Sequence, residues 1–541
     1  MHKFFLFPLI AITFSITAEA GQLRAPTPVN KPTQLSSPTQ VYTPAPTSAP
    51  QTAVATTAAK QPQILDFRYS IISDKDKKIA SQAVGESERG NWGSAESIAR
   101  KASDPIVLKL VKWIEFTKAK SPSVTEIREF LNKNPNWALE ETLKRRIGIT
   151  EPYNPSGAQW RSYASRARDL LEAGRAKEAL ALIDGRYKNL GSEDRADALW
   201  LSGWINLRFL NRPERAIADF RLLQQSVGYP VSMSRAQYWL GRSYEARNNM
   251  KNARFWYAEA ARHITTFYGQ LGALKLNRNY EIALPNYSPP NILDAKDFVH
   301  DDRIKAARIL DEIGYPEYGR LFLIRYLDGK DRTPQDYALA AILAQQTVNY
   351  EWAVLAGKKA AQVGLIIPQA NYPVLMYTPP APEKALVMAI TRQESQLNRF
   401  AKSPAGAMGM MQIMPETARG ICRELNENFD QRKLFDKDYN MRLGSYYISK
   451  RIGNLKGSYI LAIASYNAGI GNALKWVDRF GDPRLMQDTD KVIDWMESIP
   501  FSETRNYVQR VIESTEVYRA RLNGGKAKLG LLMDLHRYKP E

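Results

Sequence analysis

Glu394 ends an apolar segment and has the position in this chain best suited to acid–base chemistry. At helical spacing it shares a face with Leu386, Val387 and Ile390, which predicts that its side chain lies on the apolar side of a helix. Burial disfavours the ionised carboxylate, and the negative end of the helix dipole just beyond this residue acts in the same direction. The sequence therefore predicts an acid that keeps its proton near neutral pH. Such an acid can protonate the leaving oxygen when a glycosidic bond breaks.

Three later blocks, residues 403–418, 465–472 and 497–507, contribute polar groups that suit the lining of a cleft. Gly406 and Gly409 allow backbone angles closed to other residues, so the first block predicts a tight turn that leaves room for a sugar ring. The candidate substrate-binding side chains of the three blocks are Ser403, Gln412, Met414, Tyr466, Asn467, Glu503, Arg505 and Tyr507.

These candidates also have structural interpretations. The methionines around Gln412 are as well suited to filling a core as to lining a binding wall. Tyr466 can be a core tyrosine with a satisfied hydroxyl, and Arg505 can belong to a charged helix face. At the level of sequence these alternatives stay open.

Together with Glu394, the blocks resemble the catalytic domain of soluble lytic transglycosylases, which are periplasmic enzymes that cleave peptidoglycan. The resemblance covers about residues 384–522, and the motifs agree in type, order and spacing. Met410, Ser465 and Ile470 differ from the residues most common in the family, but none of these differences removes a polar group that the chemistry needs.

The resemblance implies roles for individual residues. Glu394 would be the catalytic residue, Tyr466 would lie close to it, and residues 503–507 would contact the peptide stem of the substrate. The chemistry implied needs neither a cofactor nor a metal ion. With four histidines and one cysteine, a structural zinc site is also improbable from composition.

The number of nearby carboxylates bears on the mechanism. Lysozyme-type hydrolysis uses two carboxylates, whereas residues 395–415 contain no Asp or Glu. Glu416, Asp436 and Asp438 follow later, so a distant second carboxylate stays open. The resemblance implies that Glu394 protonates the bond between N-acetylmuramic acid and N-acetylglucosamine. It would then take the proton of the muramyl C6 hydroxyl, which leaves 1,6-anhydro ends.

Two other functions remain compatible with the sequence. One is a muramidase that uses water and leaves reducing ends. The other is a non-catalytic scaffold whose helical region recruits protein partners of the envelope while the C-terminal domain only holds glycan, since fold alone does not fix function.

The N-terminal segment predicts export. Residues 1–3 are basic, residues 4–17 are mostly apolar, and Ala18-Glu-Ala20 matches a small-x-small cleavage site, so we expect a signal peptide cleaved near Ala20 and a periplasmic protein. Residues 21–63 are rich in Pro, Thr, Ala, Ser and Gln and predict a disordered tether or a spacer without a specific role. No later stretch is long and apolar enough for a membrane helix, and the single cysteine, Cys422, excludes an intrachain disulfide.

The remaining sequence predicts a mainly all-α protein. An α-superhelical solenoid of helix pairs is expected over residues 64–304, because similar segments follow Trp200 and Trp239 at an offset near that of helix-pair repeats. We expect a helical linker domain over 305–382 and a lysozyme-like α domain over 383–525, with at most a small β-hairpin. Residues 526–541 are expected to form a C-terminal tail.

The charge of the chain indicates an acidic partner. The formal net charge is +19, with 75 Lys and Arg against 56 Asp and Glu. Peptidoglycan carries carboxylates on its peptide stems, so its glycan strands and stems are the expected binding partners. Nucleic acid would suit the same charge, but the signal peptide and the lack of a nucleic-acid motif argue against it.

Overall fold

The computed structural model describes residues 66–149, 156–287 and 295–539. The predicted signal peptide and tether lie outside these residues. The regular secondary structure of the described residues is almost entirely helical, which confirms the predicted all-α class. No helix among them combines the length and the apolar character needed to cross a bilayer.

The helices before residue 290 are α1 (Asp74–Glu88), α2 (Trp92–Ala99), α3 (Ile106–Lys118), α4 (Val124–Lys133), α5 (Glu140–Arg146), α6 (Ser156–Glu172), α7 (Ala176–Ile183), α8 (Ser192–Arg208), α9 (Pro213–Ser226), α10 (Pro230–Ala246), α11 (Met250–Ala261) and α12 (Phe267–Leu276). The later helices are α13 (Lys296–His300), α14 (Asp302–Glu312), α15 (Pro316–Leu327), α16 (Pro334–Gln346), α17 (Tyr350–Gln362), α18 (Pro368–Asn371), α19 (Lys384–Ser395), α20 (Pro415–Glu424), α21 (Lys437–Asn454), α22 (Tyr459–Ala468), α23 (Ile470–Phe480), α24 (Thr489–Ser498), α25 (Ser502–Leu522) and α26 (Leu531–Leu535). Short 3₁₀ turns lie at Arg186–Asn189, Gln431–Phe435 and Pro483–Leu485.

The repeat predicted around the two tryptophans is a pair of helix hairpins, α8–α9 and α10–α11. In the first hairpin Gly203 lies against Phe220, and a Cβ added to it would come within 2.6 Å of the ring. In the second hairpin Gly241 lies against Tyr257 in the same way, at 2.5 Å. Each pair therefore packs closely because a glycine on one helix receives an aromatic ring from the next.

The apolar residues form two cores that alternate along the chain. One core joins α1–α5 to α13–α18, and the other joins α6–α12 to α19–α26. The predicted boundary between residues 304 and 305 therefore divides residues that share one core. Composition along a chain does not reveal which distant segment covers an apolar helix face, and this is why the boundary differs.

The last residues of the described chain, for which the sequence predicted a C-terminal tail, are packed against earlier parts of the chain. Strand β2 (Lys526–Lys528) pairs antiparallel with strand β1 (Glu281–Ala283), and Ile282 faces Ala527 in the register. Leu531 and Leu535 of α26 are buried in the core that also contains residues of α19–α25. This two-stranded sheet joins the end of the helix-pair region to the C-terminal helices.

A buried carboxylate network fixes α24 against the helix pairs. Glu497 is fully buried, and Arg235 and Gln509 donate hydrogen bonds of 2.9 and 3.0 Å to its two carboxylate oxygens. Tyr268 donates a further hydrogen bond to the same group. Arg168 donates to the main-chain oxygen of Glu497 at 2.9 Å.

Two further carboxylates of α24, Asp494 and Asp490, lie one and two turns before Glu497 and also accept hydrogen bonds from basic side chains. Arg242 donates to Asp494 at 2.9 Å, and Lys275 donates to Asp490 at the same distance. Because Asp490, Asp494 and Glu497 recur at helical spacing, one face of α24 meets a basic surface of the helix-pair region.

Replacing Glu497 by alanine is expected to lower the free energy of unfolding by about 3–5 kcal/mol, because the loss leaves the buried Arg505 and the partly buried Arg235 without their anion. Thermal unfolding followed by circular dichroism measures the change. Glu178→Ala is the matched control, since it removes an exposed ion pair with Arg175 and is expected to leave the transition in place. An equal transition temperature for both variants would contradict the stabilising role of the network.

Candidate active site

Helix α19 brings Glu394 to the site. The helix begins after Glu383 and ends at Ser395, where Gln396 adopts a left-handed conformation with φ of 56° and stops it. Leu386, Val387 and Ile390 are completely buried, as their spacing predicted. Glu394 itself is half-buried, because it lies on this face at the end of the helix where packing gives way to the cleft.

Tyr507 of α25 holds the carboxyl group of Glu394. Its hydroxyl donates a hydrogen bond of 2.6 Å to Oε1 of Glu394. The contact is possible because α19 packs along α25. Among the described residues no other group donates to this carboxyl, so Oε2 is left for a ligand.

Burial raises the pKa of Glu394 to about 8. The hydrogen bond from Tyr507 lowers the pKa and so offsets part of this shift, while the nearby charge of Glu503 raises it. The Glu394 carboxyl is therefore mostly protonated at neutral pH, as the sequence predicted. Desolvation is the dominant cause.

Glu503 is a second carboxylate on the same side of the site. It lies one helical turn before Tyr507 on α25, and its charge acts on Glu394. Burial raises the pKa of Glu503, and a hydrogen bond with Asn467 partly offsets this. Glu503 was not predicted as a second acid, because it comes from a helix more than a hundred residues after Glu394 and lies far outside residues 395–415.

Asn467 and Tyr466 enter from the C-terminal end of α22, which stops at Gly469 with φ of 83°. Thr504 donates to Oδ1 of Asn467 at 2.6 Å, so the amide is held against α25. Tyr466 donates to the main-chain oxygen of Met411 at 2.8 Å. Burial, followed by the charge of Glu394, raises the pKa of Tyr466 well above its usual value. Tyr466 therefore lies near the acid, yet its hydroxyl holds the neighbouring loop.

The loop over residues 401–413 is a compact turn beside the acid. Met408 and Ile413 exchange main-chain hydrogen bonds of 3.0 and 3.1 Å, and Gly406 and Gly409 have φ of 93° and 78°. The Gln412 side chain donates to the main-chain oxygens of Ala401 and Gly409, so its amide nitrogen braces the turn. The predicted tight turn is present, and its glycines occupy conformations that other residues rarely adopt.

Asn440 of α21 anchors this loop from below. Its amide nitrogen donates to the main-chain oxygens of Met408 and Leu434 at 2.9 Å, and its oxygen accepts from the nitrogen of Met411 at 2.8 Å. Ser395, next to the acid, donates to the main-chain oxygen of Met410 at 2.7 Å. Sequence reasoning missed both residues. In the sequence, Asn440 could have been recognised as a polar residue on the apolar face of a helix, and the structure shows that it is fully buried.

The remaining candidates divide between the cleft and the interior. Met414 is 40% exposed at the start of α20, whereas Met410 and Met411 belong to the core. Ser403 accepts a hydrogen bond from the main-chain nitrogen of Ala407, which closes the turn. Arg505 is buried on the opposite side of α25, where it donates to the main-chain oxygen of Ile499.

Helical spacing accounts for this separation on α25. Glu503 and Tyr507 are four residues apart and share the face toward Glu394, whereas the residue midway between them points away. Arg505 accordingly lies 3.7 Å from Glu497 and belongs to the buried network. The geometry thus brings together Glu394, Tyr507 and Glu503 as an acid, its hydrogen-bond partner and a neighbouring charge. Such a group can donate a proton to a bound ether oxygen.

Comparison with known proteins identifies the region around this site. Residues 379–485 match the family model described as the transglycosylase SLT domain, and residues 498–527 match that of the soluble lytic transglycosylase helical domain. The soluble lytic murein transglycosylase of Escherichia coli K12 is 29% identical over 270 residues, which are 47% of this chain and 39% of the relative. A putative soluble lytic murein transglycosylase of Haemophilus influenzae is 29% identical over 281 residues, covering 50% of this chain and 45% of the relative. The alignments thus span less than half of each relative.

A solved structure has a similar fold. The crystal structure of an inactive mutant of lytic transglycosylase Slt from Pseudomonas aeruginosa matches with a TM-score of 0.55 and 22% identity. The match covers 86% of this chain and 76% of that chain. The two proteins therefore share a similar fold over most of this chain.

Glu394→Gln is expected to stabilise the protein at alkaline pH. The folded-state pKa near 8 exceeds the unfolded value near 4.5, so the folded protein binds the extra proton and its stability falls as pH rises between these values. The variant cannot ionise, and its unfolding free energy should exceed that of the wild type by about 2–4 kcal/mol at pH 9. At pH 4 the two should agree. Denaturant unfolding at both pH values tests this, and a difference that does not depend on pH would contradict it.

Gly409→Ala is expected to disrupt the loop more than Gly406→Ala. A Cβ on Gly409 would lie 2.1 Å from the main-chain oxygen of Leu434, whereas nothing lies within 4 Å of one on Gly406. The positive φ alone should cost Gly406→Ala about 1 kcal/mol, and the clash should add about 1–3 kcal/mol at Gly409. Unfolding midpoints measure both. Equal losses would show that backbone conformation alone explains the glycines.

Proposed function

We propose, because residues 379–485 match the transglycosylase SLT domain, that this chain is a lytic transglycosylase that cleaves peptidoglycan. The bond that it would cleave is the β-1,4 linkage between N-acetylmuramic acid and N-acetylglucosamine. The observation that carries the proposal is Glu394, a carboxyl group with a pKa raised to about 8 by burial, one oxygen of which is held by Tyr507.

In the first step Glu394 is the acid. Because Oε1 accepts the hydrogen bond from Tyr507, the carboxyl proton is favoured on Oε2, which no described side chain occupies. This proton passes to the oxygen that leaves with N-acetylglucosamine while the bond from that oxygen to C1 of the muramyl sugar breaks. The muramyl acetamido group stabilises the positive charge that develops at C1.

In the second step Glu394 is the base. The ionised carboxylate removes the proton of the muramyl C6 hydroxyl, and that oxygen forms a new bond to C1. The product is a 1,6-anhydro sugar, Glu394 regains its proton, and no water is consumed. A pKa near 8 suits both steps, because the group is protonated at neutral pH and basic enough to take a proton back.

Glu503 makes hydrolysis the second candidate. A second carboxylate near the acid is what a water-using muramidase needs. However, Glu503 lies on the same helix as Tyr507, α25, and the side chain of Asn467 contacts the Glu503 carboxylate. This supports a role in holding substrate and in raising the pKa of Glu394. We therefore favour the anhydro-forming reaction.

The net charge of the protein supports a proposal for its location and its binding partners. With a net charge of +19, the protein is attracted to a polymer whose peptide stems carry carboxylates. We propose the periplasm as its location and glycan strands with their stems as its partners. The helix pairs are the surface that we propose for protein partners of the envelope.

Digestion of purified sacculi tests the proposed reaction. Wild type is expected to release anhydro-muropeptides, identified by mass spectrometry, and Glu394→Gln is expected to release almost none, with a rate loss of about 10³-fold or more. Reducing ends in place of anhydro ends would support hydrolysis. Sacculi that are bound but not cut by the wild type would support the scaffold.

Glu503→Gln separates the two enzymatic mechanisms within the same assay. If Glu503 acts through its charge, the variant should stay active. The alkaline limb of its pH–activity profile should move to lower pH, because removal of the charge lowers the pKa of Glu394. If Glu503 is a nucleophile or a general base, activity should be abolished at every pH.

A further inference from the structure

A cavity of about 850 Å³ opens on the catalytic region away from Glu394. It lies between the start of α19, the end of α21 and the C-terminal residues after β2. Its lining residues are Ala381, Pro382, Glu383, Ser449, Ile452, Gly453, Lys456, Gly457, Tyr459, Arg519, Lys528, Gly530, Met533, Arg537 and Lys539. Five of these are basic, and the one acidic residue among them is Glu383.

The acidic group of the cavity is already neutralised within the protein. Arg519 donates to both carboxylate oxygens of Glu383, at 2.6 and 3.0 Å, and Tyr459 donates to one of them at 3.1 Å. The remaining guanidinium nitrogen of Arg519 contacts Glu516 and Asp534 beneath the wall. Arg519 and its carboxylates thus form a closed network that builds the wall.

The lysines at the rim differ from this network. Lys528 and Lys539 are exposed, and within the described ranges neither forms an ion pair with a carboxylate. Arg537 lies over the ring of Tyr459 at 4.3 Å and makes only a long contact of 3.4 Å to Asp534. Lys528 and Lys539 therefore reach the opening without an ion pair to a described carboxylate, and Arg537 joins them with its single contact to Asp534.

The floor of the cavity offers apolar surface between these charges. Met533 is 60% exposed, and Pro382 and Ile452 also line the space. The glycines at 453, 457 and 530 leave main chain open to the cavity. An apolar floor with a cationic rim suits a short peptide that combines aliphatic side chains with free carboxylates.

The cavity and the acid lie at opposite ends of one helix. Glu383 caps the beginning of α19, and Glu394 lies at its end. The helix between them spans about 16 Å. A ligand in the cavity is therefore separate from the sugar undergoing cleavage, although both can belong to one polymer network.

From this arrangement we propose that the cavity is a second, non-catalytic binding site for the carboxylates of peptidoglycan peptide stems. The proposal rests on the proposed function for the identity of the polymer, and it deepens that function by adding a grip on stems away from the cleft. Lys528, Lys539 and Arg537 bind the carboxylates, and Met533 with Ile452 supports the aliphatic part of the peptide.

Binding of a free stem peptide to the full chain tests the site without turnover. Isothermal titration would compare wild type with Lys528→Glu/Lys539→Glu, using the soluble stem tripeptide and the same peptide with its carboxylates amidated. The double variant is expected to raise the Kd of the free peptide about tenfold, since two charge contacts are lost. The amidated peptide is expected to bind weakly to both proteins.

The matched control is Lys101→Glu/Lys120→Glu, which makes the same charge change at exposed positions in the loops after α2 and α3. It should bind the peptide like the wild type, and so should Glu394→Gln. An unchanged Kd for the Lys528 and Lys539 variant, or an equal loss in the control, overturns the site. Inorganic phosphate that competes as well as the peptide overturns the assignment to stem carboxylates.

Activity measurements keep the two proposals distinguishable. The cavity variant should digest peptide-free glycan strands at the wild-type rate and intact sacculi more slowly. Loss of peptide affinity in the variant while wild type yields no anhydro product would leave the cavity site standing and refute the reaction. Unchanged peptide affinity in the variant, together with anhydro product from the wild type, would refute the cavity site and leave the reaction standing.

Discussion

The carboxyl group of Glu394 is removed from water by the contact between α19 and α25, and the proposed function depends on this burial. Burial alone makes the group a weak acid, while the hydrogen bond from Tyr507 and the charge of Glu503 adjust its pKa in opposite directions. The acid is thus set by a balance of three effects from two helices. A shift in how these helices pack would change the proton affinity before it changed any contact with substrate.

The loop beside the acid is held by internal hydrogen bonds and leaves the acid itself free. Asn440 satisfies main-chain groups of the loop from beneath, Tyr466 and Ser395 hold it from the side, and Gly409 lets it approach α21 closely. Several side chains expected to touch substrate therefore also have structural duties. Such preorganisation keeps the cleft wall in place while a sugar binds.

Local features could be predicted from the sequence where a short pattern decides them. The buried face of α19, the turn at Gly406 and Gly409 and the end of α22 at Gly469 follow from helical spacing and backbone freedom. Long-range features could not be predicted in this way. The approach of Glu503 to Glu394 and the two alternating cores depend on which distant helices meet. The inward position of Arg505 was accessible from spacing, because it lies midway between two residues of the cleft face.

The network around Glu497 has a consequence for how the protein is synthesised. Its arginine partner, Arg235, leaves the ribosome 262 residues before Glu497 does, and β1 precedes its partner β2 by a similar but slightly smaller separation. The basic surface of the helix pairs therefore lacks its carboxylate partners on α24 until late in translation. Since α25 follows Glu497 directly, the acid gains Tyr507 only near the end of synthesis. A nascent chain accordingly has the parts of the site before it has the environment that activates them.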